Sequence, residues 1–371
     1  MSRAEQTING DPVALGIDRA VGELRRGRAI RIVDGDRTLL FAAVETLGTP
    51  LLRRMESMAH ELMLLITPER AEALGTADDS GGPVAIAVAP GTEVDELCSL
   101  AGVGAIDLFA QASVRMSNWA GSATLSSAAF RLAKAGRLVP AMVAFENGKI
   151  DDASVVEVAV GDIPRHSEII RHSLKRTSHS RVPLADAVDS ETVLFRDEHG
   201  LGEHVAVVIG QPDPGSIIPV RLHSACLTGD LLGSLRCDCG EQLRTAVRRI
   251  AELGGGILLY LDQEGRGIGL ANKLRAYAIQ DTGLDTVDAD RHLGFHPDER
   301  NYDVAAAILE QLAVTRIYLL TNNPHKIIAM QQHGIDVAGR LPLVASTNAH
   351  NERYLKAKRD RAGHLGEGPG D

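Results

Sequence analysis

"ILLYLDQEGRGIGLANKLRAYAIQ", residues 257–280, decides how this chain is read. Ile257 to Leu261 is a short apolar run of the kind that forms a buried strand. The glycine-bearing "DQEGRGIGL" interrupts it, and "ANKLRAYAIQ" continues as a helix. A strand that runs through a turn into a helix is the building unit of α/β architectures, whose ligands bind where the strands end. Gln263, Glu264 and Arg266 stand at that position. A carboxylate and a guanidinium there can grip a base edge and a phosphate, and Gly265 and Gly267 let the backbone come close. Taken alone, a solvated glycine-rich turn is the plainer reading.

The same alternation extends to both sides. In "EQLRTAVRRIAELGGG", Leu243, Val247, Ile250 and Leu253 share one helical face, and the glycines end the helix. "VAVVIG" and "RIYLL" read as strands, and "TNNPHKIIAMQQHG" as a helix with Asn323 as N-cap and Pro324 at its first position. Nearer the N-terminus, "AIRIVDG" and "GPVAIAVAP" read as strands. "TPLLRRMESMAHELM" and "TLSSAAFRLAKAG" read as helices, the second capped by Thr124 or Ser126 and stopped by Gly136. Between the halves lies the polar "DIPRHSEIIRHSLKRTSHSRVPLADAVD", which places a boundary near residue 175. The expected fold class is α/β, with α+β character, in two domains that each pack helices on a mixed sheet. Their bounds are 1–175 and 176–366, with a disordered tail at 367–371.

Composition narrows the function. The chain has 371 residues, enough for two domains, and its 44% hydrophobic and 24% charged content is that of a soluble globular protein. A formal net charge of −10 opposes a sequence-independent grip on nucleic acid, which requires a basic surface. No apolar run is long enough to span a membrane, and the first residues lack a signal peptide's apolar core. Four cysteines do not make a secreted disulfide framework, so a cytoplasmic location is expected.

Three of those cysteines, Cys226, Cys237 and Cys239, fall in "RLHSACLTGDLLGSLRCDCGEQL", residues 221–243, with spacing Cys-x10-Cys-x-Cys. Three thiolates with a vacant fourth position suit a catalytic zinc. A structural metal completed by a nearby His such as His223, or inert buried thiols, fit the spacing as well. Two further polar clusters stand near strand ends. "HPDERNYD" holds Asp298 and Arg300, and "TNNPHK" holds Thr321 and Lys326 where the first turn of a helix favours anions. Combined with an open metal, they suggest hydrolysis of a phosphorylated, nitrogen-rich substrate.

These motifs, with "LYLDQEGRGIGLANKLRAYAIQDTGLDTVDA", "LGFHPDERNYD" and "LLTNNPHK", occur in an order and spacing that resembles the GTP cyclohydrolase II family, from about residue 176 to about 366. The resemblance implies that Cys226, Cys237 and Cys239 bind one zinc ion. A zinc-activated water would open the imidazole ring of GTP at C8 and release formate and pyrophosphate. The remaining product would be the diaminopyrimidinone ribosylamino 5′-phosphate that starts riboflavin synthesis. Asp298 matches the family's proton acceptor. Arg300 matches the arginine assigned as nucleophile on the α-phosphorus, for which a purely electrostatic role is the alternative. Tyr277 matches a tyrosine beside the ring. Arg221, Gln242, Glu264, Gly265, Arg266, Thr286, Thr321 and Lys326 match GTP-contacting positions. Magnesium is expected on the triphosphate, and a homodimer is expected.

Two positions depart from the family pattern: Ala225 stands where a Glu often precedes the first zinc cysteine, and Asp262 where an Arg often precedes "QEGRG". They motivate an alternative, a paralogue that opens another heterocycle such as a pyrimidine. A non-catalytic, zinc-stabilised nucleotide-binding regulator is a second alternative. The N-terminal half resembles dihydroxybutanone-phosphate synthase more weakly, through residues 27–75 and "AAFRLAKAGRLVPAMVAFENG". Of that family's acidic metal-binding loop only Asp34 and Asp36 remain, and its Arg-Gly-His-Thr motif has no counterpart. The resemblance therefore implies a degenerate, inactive domain.

Overall fold

The computed structural model describes residues 11–76, 81–104, 121–146, 152–197 and 202–343, together with Asn351 and Arg361. The expected tail at 367–371 lies outside the described residues. The chain divides into two compact units, Met1–Ile169 with Ala271–Glu299, and Ile170–Leu270 with Arg300–Asp371. The units are thus not two uninterrupted stretches: one segment from the second half of the sequence belongs to the first unit.

The first unit holds β1 (Ile30–Asp34), β2 (Arg37–Ala43), β3 (Met63–Ile66), β4 (Val84–Ala87), β5 (Ala141–Glu146) and β6 (Val156–Ala159). They form one mixed sheet in the order β4-β3-β5-β2-β1-β6. Every neighbour pair is antiparallel except β1 and β6. Helices Pro12–Arg25 and Ala123–Ala135 bury Ile17, Leu24, Leu125 and Leu132 against Phe41, Met63 and Met142 of the sheet. Two local expectations are corrected. The cap of the second helix is Ser122, whose Oγ accepts from the Leu125 N–H at 3.3 Å. Ser126 lies inside the helix, its hydroxyl donating back to the Ser122 carbonyl. The helix expected over residues 49–63 stops at Met58, because Ala59 turns extended and the apolar run Met63–Ile66 pairs as β3 between β4 and β5.

In the second unit β7 (Lys175–Arg181), β8 (Ser190–Arg196), β9 (Glu203–Gly210), β10 (Ile218–Ser224), β11 (Gly255–Leu261), β12 (Arg316–Leu320) and β13 (Asp336–Leu341) form a mixed sheet in the order β13-β12-β10-β11-β9-β8-β7. The first four of that order run parallel and the rest antiparallel. Parallel strands need helices on both faces, which explains why the central β11 reads as an unbroken apolar run from Ile257 to Leu261. Helix Asp303–Gln311 covers Val220, Leu222, Ile257 and Leu259 from one face. On the other, helix Cys239–Glu252 sets Ala246 and Ile250 against Leu258 and Leu320. The polar boundary stretch supplies helix Ile163–Ser173 and edge strand β7, all seven of whose residues are exposed. A polar, lysine- and arginine-bearing edge discourages pairing with other chains.

Candidate active site

The three thiols converge where β10 leaves the sheet. The Ala225 N–H donates to the Leu261 carbonyl at 2.8 Å, so the chain follows the end of β11 for one more residue before Cys226. A turn of π-helix, Leu227–Leu231, then folds it back, and Cys239 opens helix Cys239–Glu252. The three sulfurs lie within 4.8 Å of one another, with Cys226 and Cys237 3.8 Å apart. Gly229 makes this convergence possible. A Cβ there would stand 2.7 Å from the Cys237 sulfur and 3.0 Å from that of Cys226. Its own carbonyl lies where a Cβ on Gly240 would be, at 2.2 Å, so the two glycines interlock the turn with the helix start.

This donor set fits a soft, tetrahedral cation. The Cys226 thiol, as hydrogen-bond partner, pushes the Cys237 thiol above its ordinary range. Three sulfurs this close cannot all ionise comfortably without a cation, and a bound cation removes that opposition. The helix start at Cys239 also favours negative sulfur. His223 does not join the group: its Nε2 lies 3.1 Å from an Asp230 oxygen, and the only metal-competent cluster among the described residues is the three thiols.

Asp230, with a side chain only 6% exposed, organises the turn. Its carboxylate accepts from the Cys226 N–H at 2.9 Å and the Tyr260 hydroxyl at 3.0 Å, and faces His223. Burial, then Asp230, push the Tyr260 hydroxyl up, and burial holds His223 below its ordinary value. Buried Glu264 clamps the other side, accepting from the Leu227 N–H at 2.6 Å and from the Gly265 N–H at 3.0 Å. Gly265 and Arg266 both take left-handed backbone, with φ of +65° and +60°. For Arg266 that conformation is costly, and such strain concentrates at ligand-binding turns.

A row of polar groups continues along the parallel strand ends. Arg221 on β10 is buried, donates to the Leu320 carbonyl at 2.8 Å and to Gln242 Oε1 at 2.6 Å, and leaves its Nε unpartnered. Burial lowers its pKa to about 10, so it stays charged at neutral pH. Gln242 in turn donates to Asp238 at 2.6 Å. Lys326 is also buried and donates to the Leu222 carbonyl at 2.7 Å, and Arg300 and Lys326 each lie 5.8 Å from the Tyr302 ring centre. Thr321 follows the end of β12, and its hydroxyl accepts from the Asn323 N–H at 3.0 Å. Asn323 caps helix Pro324–Gln332 as the sequence suggests. Asp262 presents its N–H to His204 at 3.2 Å.

The second unit therefore gathers the three cysteines with Arg221, Gln242, Glu264, Gly265, Arg266, Arg300, Thr321 and Lys326. Tyr277, Thr286 and Asp298 are carried by the first unit. Tyr277 lies on helix Leu270–Asp281 with Lys273 5.8 Å from its ring centre, Thr286 opens helix Thr286–His292 behind the Asp285 cap, and Asp298 is exposed. Sequence reasoning missed Gly229, Asp230, Gly240 and Tyr260. "TGD" and "DCG" around the cysteines carry the signal for three of them, since a tight loop between metal ligands needs glycines and a satisfied backbone. Tyr260 is hidden in an apolar strand.

Fold and site together define an α/β protein with three converging cysteines, able to hold a metal ion, at the ends of parallel strands. Comparison with known proteins gives the family. The sequence pattern of GTP cyclohydrolase II matches residues 175–342. The chain is 39% identical to a GTP cyclohydrolase-2 of Azospirillum brasilense, over 97% of both chains. It is 36% identical to a GTP cyclohydrolase-2 of Xylella fastidiosa, over 96% of this chain and 88% of the other. A shorter GTP cyclohydrolase-2 of Shewanella frigidimarina is 56% identical over 163 residues, 44% of this chain and 81% of the relative. A solved two-domain 3,4-dihydroxy-2-butanone 4-phosphate synthase from A. baumannii aligns over 89% of this chain and 99% of its own at 15% identity. Its TM-score of 0.33 is too low to carry an argument. This chain belongs to the GTP cyclohydrolase II family. Among the described residues no helix is long and apolar enough to cross a membrane.

Proposed function

We propose that the protein hydrolyses GTP to 2,5-diamino-6-(5-phospho-ribosylamino)pyrimidin-4(3H)-one, formate and pyrophosphate, as the first step of riboflavin biosynthesis. The observation that carries this reading is the thiol cluster, its Cys226 buried, in the same unit as Arg221 and Gln242, in a chain related over 97% of its length to a GTP cyclohydrolase-2. Cys226, Cys237 and Cys239 would hold one zinc ion per chain, which supplies an acidified water for attack on a ring carbon. The chain's own groups do the rest. Asp298 accepts the proton and Tyr277 lies beside the opening ring. Arg300 acts at the α-phosphorus, and as a guanidinium its surest contribution is charge. Glu264 and the left-handed backbone at Gly265 and Arg266 suit a base edge. Arg221, Gln242, Thr286, Thr321 and Lys326 complete the nucleotide contacts, and magnesium accompanies the triphosphate.

Ala225 and Asp262 tune affinity in this reading, since neither is one of the three thiols. A pyrimidine without phosphates would make no use of the cationic Arg221, Arg300 and Lys326. The N-terminal half is a degenerate synthase-like domain. Asp34 and Asp36 flank Gly35 in an exposed hairpin turn between β1 and β2, where two carboxylates are turn residues rather than a metal site. The protein acts in the cytoplasm as a homodimer. The test is incubation of the zinc-loaded protein with GTP and magnesium, with formate and pyrophosphate assayed separately. Equal amounts of both are expected. Release of no formate and no pyrophosphate would sink the reading, and turnover of a pyrimidine in place of GTP would favour the paralogue.

A further inference from the structure

The first unit contains Arg70, a buried arginine outside the proposed chemistry. It is 3% exposed and burial lowers its pKa to about 10, so it remains a cation inside the fold. Its guanidinium donates to three backbone carbonyls: Ser99 at 3.0 Å and Leu100 at 2.8 Å, in the last turn of helix Val94–Ala101, and His292 at 2.8 Å, the last residue of helix Thr286–His292. Two helix C-termini, each carrying partial negative charge, thus converge on one fork of donors. Thr67 adds a buried bond from its hydroxyl to the Gly294 carbonyl at 2.9 Å. Gly102 packs so closely that a Cβ on it would stand 2.6 Å from the His292 carbonyl. Farther along, Lys134 holds Glu299, the neighbour of Asp298, at 2.5 Å. The helix bearing Tyr277 is fixed in the same manner: Arg275 donates to Glu45 at 2.8 Å, and Asn272 to the Arg137 carbonyl at 2.9 Å.

We propose that the N-terminal half works as a support for the cyclohydrolase reaction, with Arg70, Thr67 and Lys134 as positioning residues that hold segment 291–299 and so fix Asp298. The inference rests on the reading of Asp298 as proton acceptor. A half whose resemblance to the synthase lacks the carboxylate loop keeps a buried arginine that ties its own helix Val94–Ala101 to His292 of the other half's segment, which a passive remnant would not need. A proton acceptor must be held to a fraction of an ångström, and such constraint is supplied by buried, satisfied polar contacts.

The test uses the full chain with Arg70→Met and Lys134→Met, and reads amide hydrogen exchange, metal content and the kcat and KM of formate release. Exchange across 286–299 is expected to quicken about tenfold or more while 218–261 is unchanged. The kcat should fall about tenfold to a hundredfold, with KM and zinc per chain little changed. Lys134→Arg should restore most of the loss. Unchanged exchange, or faster exchange with kcat within about twofold of the parent, overturns the proposal. If Arg70→Met fails to fold, Lys134→Met, whose side chain is partly exposed, decides alone. If the parent releases no formate, the activity reading has failed, and hydrogen exchange still tests the support on its own.

Discussion

Two polar turns at strand ends show how differently this chain treats acid and thiol groups in its halves. After β10, the turn that carries Cys226 exposes Leu227 and Leu231 but buries Cys226 and Gly229, with Gly229 pressed against the sulfurs and Asp230 and Glu264 accepting from backbone N–H groups. After β1, the turn holding Asp34 and Asp36 is exposed, and Gly35 has open space around its Cβ position. Both stretches look polar and glycine-bearing in sequence. Only the first has its backbone donors, carboxylates and glycines committed to one geometry, which is what a ligand site requires and a solvated turn does not. The same contrast separates Arg70 from the exposed arginines of the first unit: each of the three nitrogens of the buried guanidinium donates to a backbone carbonyl.

The comparison can be broken by substitution. Cys237→Ser removes a ligand outright, and both bound zinc and formate release are expected to fall to background by metal analysis and product assay. Gly229→Ala keeps all three thiols but pushes a methyl into them. Zinc affinity measured by chelator competition should drop about ten- to a hundredfold, the range found when a ligand's supports are disturbed. Ser122→Ala, in the first unit, removes a helix cap and should lower the unfolding free energy by about 1 kcal/mol in denaturant titration, with zinc affinity unaltered. The double change Asp34→Asn, Asp36→Asn should alter stability by no more than about 0.5 kcal/mol and leave formate release intact. A large loss of activity there would mean that the exposed turn still serves a reaction.

Much of the second unit's framework was legible because parallel strands buried on both faces leave unbroken apolar runs, as in Ile257–Leu261, and because Asn323-Pro324 announces a helix start. Strand β7 was not legible: every residue is exposed, so no apolar alternation records it, and only pairing with β8 makes it a strand. The end of the helix at Met58 was missed for the opposite reason. Leu62 to Ile66 is apolar enough to continue either element, and the neighbouring strands decide. In the site, the cysteines stood out by rarity and spacing. Asp230 and Gly240 are only hinted at by "TGD" and "DCG", since their roles depend on contacts that the turn creates, and the bond from Arg70 to His292 joins residues more than two hundred positions apart.

The central claim is that three thiolates hold the metal on which ring opening depends. The most direct measurement is formate release from GTP as zinc is returned in steps to metal-depleted protein. The account predicts negligible release without zinc and a linear rise that saturates near one zinc per chain. Full formate release from protein that binds no metal would contradict it.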